Sequence, residues 1–130
     1  MDQISGSTKL NSLLQQINTE GEFPISVLTD YQGLAIAWAA SNGMDPERQS
    51  AVVAFIQKTA VQVGKQLGMG EADEISFYDV SGQHLVCRPF MVDQYGLILA
   101  VIVPNRDHRY RRATNHAMRE IRRIWKTFWE

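Results

Sequence analysis

The sequence predicts an α+β fold: a five-stranded antiparallel sheet with two helices on one face and one long helix on the other. Three observations carry this. The first is Gly96 followed by seven consecutive apolar residues, 97–103, closed by Pro104. A run this short, rich in branched side chains and without polar alternation, reads as a strand buried on both faces. The second is that three segments repeat apolar residues at helical spacing, which supplies cover for both faces. The third is the order of the other strand-like segments, a hairpin before the long helix and a meander after it. Pairing the buried strand with the first strand gives the order 2-1-5-4-3, with strands two and three at the edges.

Length and composition fit that architecture. With 130 residues, 45% apolar and 21% charged, the chain is long enough for one core and is expected to be a single domain, 1–130, ordered over about 8–128. The leader from Met1 to Lys9 has no apolar stretch of the secretory kind, and no run approaches the ~18 residues of a membrane span. A soluble, cytoplasmic protein is therefore expected. One cysteine, Cys87, offers no internal disulfide. Charge is unevenly spread: residues 106–130 carry eight basic and three acidic side chains, a net of +5, while the rest carries −6. Such asymmetry concerns partners rather than fold.

Taken in order, Leu10, Leu13, Leu14 and Ile17 predict a first helix over 8–19, ended by Gly21. Residues 23–29 read as the first strand. Asp30-Tyr31-Gln32-Gly33 is a turn whose glycine supplies a positive φ. Residues 34–40 return as the second strand, with Leu34, Ile36 and Trp38 on one face and Ala35, Ala37 and Ala39 on the other. The alanine face admits a closely packed helix. Asp45-Pro46-Glu47 then combines a capping acceptor, a proline at the first helical position and an acid against the helix dipole. This long helix is expected to reach Leu67 and stop at Gly68. Its core face reads as Val52, Val53, Ile56, Ala60, Val63 and Leu67; Ala51 and Phe55, flanked by Arg48, Thr59, Gln62 and Gln66, lie roughly opposite. Residues 75–80 form the third strand, Ser81-Gly82 a two-residue hairpin signal, and 83–90 the fourth strand, where Pro89 needs a position without a ladder donor. The last helix is expected over 107–128. Tyr110, Ala113, Ala117, Ile121, Ile124, Trp125 and Phe128 form its apolar arc, and Arg111, Arg112, Arg119, Arg122, Arg123 and Lys126 its basic arc.

Several local patterns fall in sequence along this order: Leu10-x-x-Leu13-Leu14, Asp30-x-x-Gly33-Leu34, Asp45-Pro46-Glu47, Leu67-Gly68-x-Gly70 and Arg88-Pro89-Phe90. Each is weak alone; together, from Leu10 to about Ile124, they make the chain resemble a roadblock domain. That is the family of roadblock-type dynein light chains and of bacterial regulators of small GTPases. The resemblance implies a roadblock/profilin-like sandwich and a homodimer built by the long second helix and the third strand, with one continuous sheet across both subunits. It further implies a scaffold that binds a small Ras-like GTPase and modulates its GTP hydrolysis without supplying the catalytic centre. Arg48 and Gln66 would lie beside that platform. The arginine-rich last helix, with Trp125 and Trp129, departs from a typical member.

The residues themselves point to self-association. An exposed phenylalanine on a long helix with apolar neighbours marks an interface. Ala51, Phe55, Thr59 and Gln62 are therefore expected to meet their symmetry mates, while strand three, around Phe77 and Tyr78, pairs across the same axis. The basic arc has two readings: a solvated face, or an anion-binding surface, with Arg112, Arg119 and Arg123 as the contacts. On the second reading the protein is an adaptor or localisation module docking on an acidic protein or, weakly, a membrane. No nucleic acid is expected, since the arc lacks stacking aromatics. Enzymatic readings fail for want of a signature. His84, His108 and His116 have no metal-ligand spacing, Cys87 has no base beside it, and Gly64-Lys65-Gln66 lies inside a helix rather than in a phosphate loop. No catalytic residue, metal or cofactor is expected.

Overall fold

A computed structural model describes residues 5–129; the first four leader residues and Glu130 lie outside the described residues. The elements are α1 (Gly6–Gly21), β1 (Ile25–Asp30), β2 (Ala35–Ala40), α2 (Pro46–Leu67), β3 (Ile75–Tyr78), β4 (His84–Val92), β5 (Tyr95–Val103) and α3 (Arg111–Trp129). The sheet runs β2-β1-β5-β4-β3 with every pair antiparallel, the predicted order.

β5 is the centre because it faces two cores. Leu97, Leu99, Val101 and Val103 join Leu10, Leu14 and Ile17 of α1 and Ala117, Ile121 and Trp125 of α3. Ile98 and Ala100 point the other way, among Ile25, Val27, Leu85, Cys87 and Val53 of α2. Two-sided burial is why the run shows no polar alternation.

The two sheet edges are treated differently. At β2, the alanine side receives α1: Ala37 and Ala39 are buried, Asn18 Nδ2 donates to the Ala39 carbonyl (2.9 Å), and the Trp38 backbone N–H donates to Asn11 Oδ1 (2.9 Å). α1 thereby blunts that edge. The predicted single face for Leu34, Ile36 and Trp38 does not hold. Leu28 pairs with Ala37 but Thr29 with Ala35, so Ile36 sits in a bulge and turns toward the α1/α3 core.

α2 begins and ends where expected. Asp45 Oδ1 accepts from the Arg48 N–H (3.1 Å), Pro46 opens the helix, and Gly68 closes it at φ 67°. Its rotation differs from the predicted one. Val53 is buried and Ile56 and Ala60 half-buried, but Val52, Val63 and Leu67, read as core, are 43%, 48% and 67% exposed. Gln49, Ser50 and Gln57 are buried instead, with Gln49 Nε2 donating to the Ala100 carbonyl (3.3 Å) and Ser50 Oγ to the Pro46 carbonyl (2.8 Å). The helix lies over β1 and β2, so the flank turned toward β3 overhangs uncovered sheet.

β3 is shorter than predicted, and the hairpin after it is not a two-residue turn. Residues 79–83 form a loop in which Asp79 Oδ1 accepts from the Ser81 N–H (2.8 Å), the Ser81 hydroxyl (2.6 Å) and the Gln83 N–H (3.1 Å). The Ser81 hydroxyl chiefly holds the Asp79 carboxyl below its ordinary range. Pro89 sits inside β4 rather than at its end. It is tolerated because β3 stops at the Ile75–Cys87 pair, and beyond that β4 has only β5 beside it. α3 starts at Arg111, later than predicted, because a turn with a His108 N–H to Asn105 carbonyl bond occupies the approach.

Candidate interaction surface

The exposed flank of α2 continues into the open sheet edge. Phe55, Ile56, Thr59 and Val63 form one wall of a groove whose other wall includes Met69, Ile75 and Phe77 together with the polar Glu71, Asp73 and Ser76. Phe55 is 71% exposed, Phe77 67% and Met69 65%. Phe55 and Phe77, from a helix and a strand about twenty residues apart in the chain, join Met69 of the connecting loop in one apolar surface of the kind that marks an interaction site.

Of the residues singled out in the sequence, Ala51, Phe55, Thr59 and Gln62 are all exposed on α2. With Arg48 and Gln66 they follow one helical row by their spacing, which is the outermost row of the helix. Thr59 Oγ1 is turned back to the Phe55 carbonyl (2.9 Å). Phe77 and Tyr78 part company: Phe77 pairs opposite Leu85 on the α2 side, while Tyr78 pairs opposite His84 on the α1/α3 side. There Tyr78 stacks on the His84 ring at 4.0 Å and lies beneath the Arg106 guanidinium at 4.9 Å. Val52 and Val63, read as core, lie instead on this exposed flank, and Met69 was not singled out. The available signal was an apolar arc on α2 wider than one sheet face can cover.

The open edge is anchored from the opposite face. Glu74, one residue before β3, accepts from the Tyr110 hydroxyl and from Arg111. Arg88, 4% exposed on β4, donates to Thr114 Oγ1 (2.8 Å) and to Asn115 Oδ1, with its Nε 3.9 Å from Glu74. Burial pulls the Arg88 guanidinium down and the neighbouring Arg111 charge adds to this; Glu74 opposes both. Burial, followed by the bond to Glu74, raises the Tyr110 phenol.

The basic arc divides when its contacts are traced. Arg123 is paired with Glu120, Arg111 with Glu74, and Arg122 donates to the Met91 carbonyl (3.4 Å) over the Phe90 ring. Arg112 and Arg119 instead line a groove between α1 and α3 with Arg109 and His116. The predicted trio of Arg112, Arg119 and Arg123 is therefore not brought together at one place. Cys87 is buried and its thiol is pushed up to about 12 by that burial. Among the described residues no cluster of histidine, cysteine and carboxylate could hold a metal, and no helix is long and apolar enough to cross a membrane.

No family model matches the sequence, and no curated protein matches it. Solved structures do. MglB of Myxococcus xanthus is 19% identical, with 100% of this chain and 96% of that one covered and a TM-score of 0.80. The gliding protein MglB from Thermus thermophilus is 13% identical over 94% and 92%, with a TM-score of 0.76. A Roadblock/LC7 domain from Streptomyces avermitilis is 13% identical over 91% and 95%, with a TM-score of 0.70. Identities this low speak for architecture alone. The chain shares the fold of roadblock-type domains.

Proposed function

We infer that two copies of the chain join across the α2 flank and the β3 edge, and that the paired α2 helices form a platform for a small Ras-like GTPase. The observation that carries this reading is the apolar groove of Phe55, Val63 and Phe77 lying against the one sheet edge that α1 does not blunt. A two-fold axis beside β3 would extend the sheet into the second subunit and cover both grooves at once. A stable dimer of this kind buries on the order of 1,600 Å² in total.

The GTPase is proposed on the roadblock resemblance and the likeness in fold to MglB, since no residue here identifies it. Arg48 and Gln66, exposed at the two ends of the outermost row of α2 and outside the groove, are the surface offered to that partner. The protein acts on this reading as a non-enzymatic scaffold and regulator: it orders its partner and modulates GTP hydrolysis without chemistry of its own. Two measurements test it. Sedimentation of the wild type and of Phe55→Glu at micromolar concentration tests the seam, and a dimeric variant overturns that half. GTP turnover by Ras-like GTPases from the source organism, with and without this protein, tests the platform. Unchanged turnover together with no complex on gel filtration overturns it.

A further inference from the structure

The C-terminal segment holds more positive charge than its internal contacts use, and apart from Lys126 the surplus collects in one place. Arg88, Arg111, Arg122, Arg123 and Arg106 are each engaged by a carboxylate, a side-chain acceptor, a carbonyl or an aromatic ring. Arg109, Arg112 and Arg119 have no ion pair among the described residues, and all three line the groove between α1 and α3. His116 stands in the same row, since 112, 116 and 119 fall one and two turns apart along α3, a line of about 10 Å. The α1 wall supplies Gln16 and Glu20, which are bonded to each other (Nε2 to Oε1, 3.0 Å). The groove thus carries three guanidinium charges against one carboxylate.

We propose that this groove binds an acidic segment of a partner protein, with Arg112 and Arg119 taking carboxylates and Arg109 the end of the segment. Guanidinium groups pair with carboxylates in a bidentate fork, and a row about 10 Å long matches acids spaced along a short peptide. Shape favours a narrow chain over a flat surface: the unpaired arginines, though exposed, line a recess between two helices. The groove is on the sheet face opposite α2, so its occupant does not compete with the α2 platform, and the inference stands whether or not that platform is used.

The test is fluorescence anisotropy of a labelled glutamate-rich peptide with the whole protein, alongside vesicles of phosphatidylcholine with phosphatidylserine and inorganic phosphate as separate probes. Expected is saturable peptide binding that weakens with salt. The double variant Arg112→Gln with Arg119→Gln should weaken it by about tenfold or more, whereas Arg123→Gln with Lys126→Gln, an equal charge change outside the groove, should leave it within about twofold. Glu20→Gln should tighten binding, a gain that no folding defect imitates. Amide shifts on peptide addition should map to residues 16–21 and 109–119. The proposal is overturned if the two double variants lose affinity equally, if Glu20→Gln has no effect, or if vesicles or phosphate bind and the peptide does not.

Discussion

Phe55→Ala isolates the proposed seam from the fold. In the single chain Phe55 is 71% exposed, so shortening it removes little from the monomer's own core. Fully burying a phenylalanine side chain is worth about 1.5–3 kcal/mol, and the portion still exposed scales this to about 1–2 kcal/mol per copy. A two-fold interface contains the residue twice, which gives a loss of about 2–4 kcal/mol in dimer free energy, or a ~30- to ~1,000-fold weaker association. Equilibrium sedimentation over a concentration series measures this, and thermal melts of both proteins at high dilution measure the monomer. Association should weaken by that margin while the dilute melt stays within about 0.5 kcal/mol of wild type. The reasoning fails if association changes less than about threefold, which is under 0.7 kcal/mol, or if the dilute monomer is destabilised as much as the dimer.

Three further outcomes follow from particular contacts. Glu74→Ala removes the acceptor shared by Tyr110 and Arg111 and the carboxylate nearest the buried Arg88; it should cost about 1–3 kcal/mol in urea titration and speed amide exchange selectively in β3. Gly33→Ala should cost about 1–3 kcal/mol, because φ there is 90° and a Cβ would stand 2.7 Å from that of Ala54. Gly43→Ala, with φ 88° but open space around it, should cost less, and equal losses at the two sites would refute the steric part. Cys87, with its thiol pushed up to about 12, should resist iodoacetamide until the chain unfolds. Because only the unfolded thiol ionises as pH passes its ordinary value of about 8.5, stability should fall with rising pH above that point, and Cys87→Ser should lose this dependence.

What could be read from the sequence followed from how local each signal is. β5 was legible because burial on two faces erases alternation within the strand itself, and α2's ends were legible because Asp45, Pro46 and Gly68 act on their own backbone. The rotation of α2 was not. Which of Val52, Val53 and Gln57 turns inward depends on the helix lying over β1 and β2, a fact of tertiary placement. The bulge at Ile36 and the Asp79 loop were missed for a related reason: register and turn length are settled between strands, and Ser81-Gly82 alone does not reveal that Asp79 accepts three bonds. Phe55 stood out as a candidate because a large apolar side chain away from a core stripe needs no distant knowledge. The division of the arginines could not be read, since Arg111 and Arg88 are claimed by Glu74, more than a dozen residues earlier in the chain.

The Glu74 network also bears on how strongly so small an edge can pair. A four-residue strand at the margin of a sheet ordinarily frays, and a seam built on it would lose affinity to the cost of ordering that strand each time two subunits meet. Here contacts within the single chain tie the strand down at both ends. Glu74 ties its start to α3 through Tyr110 and Arg111, and Tyr78 at its end is held between His84 and Arg106. Both anchors lie on the α1/α3 face. The α2 side, where Phe77 projects, is left free of them, so rigidity comes from one face of the strand and contact is offered from the other. The proposed dimer would thus gain its affinity from apolar burial at Phe55, Val63 and Phe77 without offsetting a disordered edge.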